Sequence, residues 1–452
     1  TQAVNTDSSF FNDTDATATH FTVGGAAYTG QNAETYVAYV FAHETGDDSM
    51  IQCGSYTGNG TVGHEISVGF EPQFVIQKIT NTTGHWVIQD SMRGLTGTGS
   101  ATLRPSSSNA ESNANAYNPG NMQATANGFK LDTDDQGGGN GNNDTYIYMA
   151  IRRPNMATIT DATEVFAMDL RDDTDAPMFK SGFVTDFSFY RNTTGTDDSY
   201  VQSRLTGINH LHFNSSAAEN ANFTSTNWDY MNGFYDAGSA NSAYQAWMWK
   251  RAKGFFDIVA YTGTGSARTI AHGLGVAPEM MWVKCRSAGS TDFRIFEGND
   301  ATNHMRFQGN DASADSVEFW NDTLPTASVF TVGVNAEVNG NGQTYVAYLF
   351  ATVAGVSKCG RVDHSGSSTD VDCGFTSGSR LVILKRTDDD EGTADWYWWD
   401  SVRGIIAGND PYLLINTTAA EVTNTDYIDP LASGFTITGD FTDATYMFYA
   451  IA

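Results

Sequence analysis

The chain has 452 residues, with 52 acidic against 24 basic side chains and a formal charge of −28. Such a surface repels phosphate backbones, which argues against nucleic acid as a partner, and it keeps a protein soluble in a salty medium that screens self-repulsion. No apolar run approaches the roughly 18 residues of a membrane span, so no membrane insertion is expected.

Helix formers are thin, while Thr, Asn, Asp, Ser and 45 Gly dominate; 27 Phe, 20 Tyr and 9 Trp supply bulk for several small cores. That balance predicts an all-β protein of tandem antiparallel β-sandwich domains, jelly-roll or concanavalin-like in kind. One stretch organises it. Residues 35–42, TYVAYVFA, return at 344–351 as TYVAYLFA, and more loosely at 145–151, 244–249 and 445–451. The spacing is roughly that of one sandwich domain, about 100 residues, so each copy is expected to be a strand that closes one repeat. Both faces of this strand are apolar: Tyr36, Ala38 and Val40 on one, Val37, Tyr39 and Phe41 on the other. A strand with one face in water has no use for that, so the outer face is expected to lie under a long loop, a neighbouring domain or another subunit.

In chain order, residues 1–49 match a later stretch without a gap. Phe10-Phe11-Asn12-Asp13-Thr14 and Phe21-Thr22-Val23-Gly24 correspond to Phe319-Trp320-Asn321-Asp322-Thr323 and Phe330-Thr331-Val332-Gly333. This predicts the C-terminal half of a sandwich whose opening strands lie upstream or come from another chain; with no signal peptide and no initiator methionine, the chain is expected to be a piece of something longer. Residues 50–154 form the clearest complete repeat, with a long surface loop expected at 106–127 and a hairpin tip at 132–144. Residues 155–252 keep Phe187-Ser188-Phe189-Tyr190-Arg191 but lack the Gly-Phe-x-Pro block, a divergent copy. Residues 253–355 and 356–452 return to the pattern. The links between repeats are a few residues long, which predicts touching domains in a semi-rigid rod.

The order Tyr-Thr-Gly-x-Gly, Gly-Phe-x-Pro-x-x-Val, Trp-x-x-x-Asp-Ser-x-Arg-Gly, Gly-Phe, Tyr-x-Ala resembles repeats of virion proteins from marine bacteriophages. It is best kept at Ser55–Ile151 and Gly360–Ala452, and weakest over 155–252. The resemblance implies concanavalin-like modules of a tail-fibre or other surface structural type, and it carries over no catalytic residue.

Few side chains suggest a site. Asp90 with Arg93, and Asp400 with Arg403, stand three apart at a strand end, where carboxylate and guanidinium are expected to pair and pin a turn. Asp132, Asp134, Asp135 and Asp144 in an acidic tip are weak candidates for Ca²⁺, the one cofactor considered, although their spacing is not that of an EF-hand. Tyr397 and Trp399 lie on the strand face opposite Trp396 and Trp398; a Trp where the sister repeat has Gln89 suggests a partly exposed aromatic for sugar stacking or subunit contact. Cys359 and Cys373 could bridge if their strands are neighbours. His210 and His212 share a strand face, where a core or surface role outweighs metal binding. Hydrolase signatures such as HExxH and GxSxG are absent from the sequence.

These observations lead to the expectation of a non-enzymatic phage virion structural protein, a fibre or a capsid or tail surface component serving adhesion, host-surface recognition or display. Its partners would be other virion proteins, copies of itself in a homo-oligomer, or a host surface glycan, and its place the virion surface. The alternative is a secreted or cell-surface bacterial adhesin with lectin-like carbohydrate-binding modules.

Overall fold

The computed structural model describes residues 3, 6–44, 49–96, 101–111, 122–154, 156–172, 174–220, 228, 230–236, 238–298, 300–388 and 394–452. Regular structure among them is almost entirely antiparallel β, with a few one-turn helices. Four sandwiches follow one another, and all four share one main-sheet order. The first strand of each lies beside the closing strand, which pairs on its other side with a third, followed by a fourth. In residues 253–355 these are Phe256–Thr262, Thr344–Phe350, Met280–Cys285 and Arg294–Phe296. The divergent repeat obeys the same order with Phe166–Arg171, Asn241–Trp249, Phe187–Asn192 and Tyr200–Ser203. Its missing Gly-Phe-x-Pro block costs it nothing in the main sheet.

A smaller sheet covers one face of each main sheet, such as Arg268–Ala271 with Val329–Val332, and Thr369–Asp372 with Gly434–Ile437 and Ile428–Leu431. Tyr345, Ala347 and Leu349 point into that interior, with Phe330 and Trp320. The alternate residues Val346, Tyr348 and Phe350 point the other way and are fully buried as well. What covers them is the neighbouring sandwiches. Phe187 packs on Tyr348 at 4.6 Å, Phe350 on Tyr449 at 5.1 Å, and Trp398 on Phe189 at 5.1 Å and Trp247 at 5.5 Å, all between ring centroids. The three sandwiches of 166–452 thus turn their main sheets inward on one aromatic core. Of the coverings open to a two-faced strand, this chain uses the neighbouring domain.

The expected rod is therefore incorrect for these three repeats. Short links hold neighbours together but do not fix the angle between them, and the apolar outer faces drive closure into a ring. Burying one large side chain contributes about 1.5–3 kcal/mol, and each sheet offers several.

Residues 35–42 also depart from expectation. They form no strand, and Val37, Tyr39, Val40 and Phe41 are exposed around an apolar hollow of about 1000 Å³. The matching strand Thr344–Phe350 is bonded along both edges; among the described residues nothing lies beside 35–42 in that way. Local structure survives nonetheless. Ser8–Phe11 is a single helical turn capped by Asp7 and ended by Asn12 at φ 54°, and Val317–Trp320 is capped by Ser316 and ended by Asn321 at φ 52°. Within residues 50–154, the expected loop at 106–127 ends early in the strand Met122–Thr125, and residues 112–121 lie outside the described ones. Residues 132–144 are not a hairpin tip, because Gly128–Leu131 belongs to the small sheet and Thr145–Arg152 to the main one.

Candidate functional site

The places where chemistry concentrates are the joints of the ring. In each main sheet the third strand carries a cation at equivalent register: Lys78, Arg191, Lys284 and Lys385. Arg191, Lys284 and Lys385 lie on the sheet face whose other residues pack against neighbouring sandwiches, whereas the matching face around Lys78 is half-open. Arg191 reaches into 356–452, donating to the carbonyls of Leu414 at 3.2 Å, Thr417 at 3.2 Å and Ala419 at 2.6 Å. Lys385 reaches into 253–355, donating to the Asp311 carbonyl at 2.9 Å and to that of Ala394 in its own repeat. Lys284 donates to the carbonyl of Thr291 and at 3.0 Å to its hydroxyl, and the Thr291 amide donates to the Ser216 carbonyl of the 155–252 sandwich at 3.2 Å. Burial lowers the pKa of Arg191 to about 10 and of both lysines to about 8.

Two residues beyond Arg191, Lys284 and Lys385, a backbone carbonyl accepts from the loop of the preceding sandwich in the ring. The Glu219 amide donates to the Arg286 carbonyl at 2.8 Å, the Ser313 amide to that of Thr387 at 3.1 Å, and the Glu421 amide to that of Thr193 at 2.7 Å. The three joints run in one direction and close on themselves. Side chains reinforce them: Arg286 pairs with Glu219 at 2.9 Å, and the Trp396 indole donates to the Arg306 carbonyl at 3.0 Å.

Residues 50–154 attach to this ring through a buried clasp. Arg251 holds Glu71 through both oxygens at 2.7 and 2.9 Å and Asp257 at 3.0 Å, with Arg153 within 3.9 Å of both carboxylates. A cleft of about 240 Å³ opens beside it, lined by Arg152, Met156 and His272 among others. His272 is already engaged: its Nδ1 accepts the Leu274 amide at 3.3 Å, which leaves Nε2–H to donate to the Thr326 carbonyl at 3.2 Å. The clasp satisfies its own charges, and the cleft lining carries no hydroxyl or thiol.

With the fold and joints described, comparison adds one finding. A family model described as "Domain of unknown function (DUF7483)" matches residues 1–154 and 169–452. The chain belongs to the DUF7483 family. No curated protein and no solved structure matches it.

Several residues singled out in this DUF7483 chain take different roles from those expected. Trp399 is 0% exposed, stacked on Tyr397 at 5.5 Å inside the last sandwich beside Tyr412 and Phe441, and Tyr397 is half-buried in the same cluster. The reading of Trp399 as a partly exposed aromatic is corrected. Both sheet faces are interiors here, so no face was left for solvent. Asp90 and Arg93 do pair, and Asp90 accepts the Met92 and Arg93 amides at 3.1 and 3.0 Å. Asp400 repeats this with Val402 and Arg403, and also accepts the Trp247 indole of the 155–252 sandwich at 3.2 Å. The turn brace is thus part of a joint as well, which its sequence does not announce.

The carboxylates considered for Ca²⁺ do not converge. Asp132 pairs with Lys130 at 3.0 Å, Asp135 accepts the Gly137 amide at 3.1 Å, and Asp144 accepts Gln136 at 2.8 Å, while Asp134 is exposed. Among the described residues no group of three or more His, Cys, Asp or Glu is placed to hold a metal. The pin of that segment is Asn140, buried and donating to the Thr61 and Thr133 carbonyls at 2.8 Å, as Asn339 does to Ser266 and Gly333 at 2.7 and 2.6 Å. Cys359 and Cys373 are both free thiols, one in the central core and one inside the last sandwich, with the sheet between them. His210 and His212 lie 4.8 Å apart against Tyr200, and burial beside His212 lowers the pKa of His210 to about 4.

The joint cations escaped attention in the sequence although the signal was there. A Lys or Arg recurs at the same register of the third strand in four repeats, and in the three repeats of the ring it is not a solvated end, because both faces of their sheets are buried.

Proposed function

We propose that the protein is a non-enzymatic structural component of a bacteriophage particle, a fibre or a capsid or tail surface element serving adhesion, host-surface recognition or display. One observation carries this reading: the chemistry-bearing side chains are spent on joints, while the outer sheet face of residues 50–154 keeps Trp86 and Ile147 exposed, each at 38%. A chain whose polar groups fasten modules together, and which still holds apolar surface open, is suited to being a building block. The ordered Gly-Phe-x-Pro and Asp-Ser-x-Arg-Gly motifs support the kinship with virion proteins. The partners would be other virion proteins or further copies, with a host glycan as the surface recognised.

Mass spectrometry and immunogold labelling of gradient-purified particles test it. The chain is expected in stoichiometric amount on the particle surface. Recovery only from the medium or cell envelope of a bacterium would replace this reading with the adhesin. Release of reducing ends from host polysaccharide would overturn the non-enzymatic part.

A further inference from the structure

We propose that residues 50–154 form a second ring, between three copies of this chain, through the joint that the other three sandwiches use within one chain. The argument does not depend on the virion reading. It starts from a comparison of four equivalent sheets, three closed and one open.

The sheet of 50–154 has the register of the others, so its residues can be matched one to one. Ile147 stands where Val346 and Met447 stand, beside Lys78, Lys284 and Lys385. Val346 is 0% and Met447 4% exposed, against 38% for Ile147. Trp86 stands where Trp396 stands, paired with the cation-bearing strand, and is 38% exposed against 0%. Met149, Ile151, Ile76 and Ile88 lie on the same half-open face. The composition of that face is that of the central core; among the described residues no neighbouring sandwich covers it.

The other half of the joint is present too. Residues 103–111, LRPSSSNAE, match the docking loops 211–219, LHFNSSAAE, 305–313, MRFQGNDAS, and 413–421, LLINTTAAE. The match is structural as well: Leu103 pairs with Ile88 as Leu211 does with Val201, Met305 with Ile295 and Leu413 with Trp398. Phe213, Phe307 and Ile415 are fully buried at their joints, whereas Pro105 in the same place is exposed, as are Asn109, Ala110 and Glu111. Glu111 is held by Arg93 at 2.8 Å, a pairing that Glu421 makes with Arg403 at 3.8 Å. The loop is set in its docking shape, and among the described residues none docks on it.

One sandwich therefore carries both complementary halves, which decides the occupant. A head-to-tail joint closes only at a fixed rotation, and the three internal joints close after three sandwiches. The same joint between identical sandwiches closes at three copies, and cannot close at two. In that ring the Trp86 indole meets the Arg104 carbonyl of the next copy, as Trp396 meets Arg306.

Sedimentation velocity of the full chain tests this at micromolar concentration and at about 0.5 M salt, where repulsion between acidic copies is screened. The expected species has three times the 48.9 kDa of one chain. Ile147→Asp on the face and Ala110→Arg on the loop should each return it to a single chain whose circular-dichroism spectrum matches that of the parent, since both side chains are exposed in one copy. A parent that stays single, a parent that stops at a dimer, or trimers that survive both substitutions would each overturn the proposal.

Discussion

The sandwich interiors are filled by trading volume across two paired strands, and this can be measured. Gly360 faces Phe448, and a Cβ built on Gly360 would lie 2.7 Å from the Phe448 ring. Gly54 faces Tyr148 in the same register, with its would-be Cβ 2.8 Å from the ring. In residues 253–355 the trade is reversed, Val259 against Ala347, both buried. Gly360→Val alone forces branched carbons into an aromatic ring and should cost about 1–3 kcal/mol or more. Phe448→Ala alone leaves a cavity at a side chain only 4% exposed, for a loss of about 3–5 kcal/mol. The double variant rebuilds the Val–Ala pair. Its cost should fall well short of the sum, with a coupling of about 2 kcal/mol in a double-mutant cycle. Denaturant midpoints followed by tryptophan fluorescence read this out. Costs that add to within about 0.5 kcal/mol, the behaviour of independent sites, would show that these two positions do not share one space.

Three further outcomes follow from the same structure. Arg191→Ala, which strips the donor from carbonyls of the last sandwich, should lower stability by about 2–4 kcal/mol; Arg191→Lys should lose less than half of that, since lysine serves at 284 and 385, and equal losses would deny the shared role. Trp399→Gln should destabilise the chain by at least about 3 kcal/mol in a thermal melt, and a variant of native stability would restore the exposed reading. Desolvation raises the pKa of Asp410 from 3.8 to about 7, so the folded chain keeps a proton that the unfolded chain has lost. The stability this group contributes is whole below pH 4 and disappears as pH rises through 7. Asp410→Asn, which stays neutral, should therefore gain in melting temperature relative to the parent between pH 5 and pH 8.5, and a pH-independent difference would contradict the assignment.

Much of the fold was legible because strands alternate. The closing strand, its recurrence and its two apolar faces predicted sandwiches and a covered outer face. The same property hid Trp399, since in a sheet buried on both sides no alternation separates inside from outside. Residues 35–42 carry the strand pattern but not its neighbours, and a β-strand is made by what lies beside it. Link length bounded the distance between repeats without bounding the angle, so the ring could not be told from a rod. The Asp-Ser-x-Arg-Gly turn was readable because its bonds are local. Its reach to Trp247 was not, because that contact joins residues 153 positions apart.

Closure of the ring changes how the protein carries load. In a chain of domains in series, tension reaches every link in full, and the weakest sets the limit. In a closed ring of three, a pull between two sandwiches divides over two paths, one through their shared joint and one through the third sandwich. Two joints must then yield together before any sandwich swings free. Loss of a single lysine or arginine at a joint thus softens the assembly without severing it.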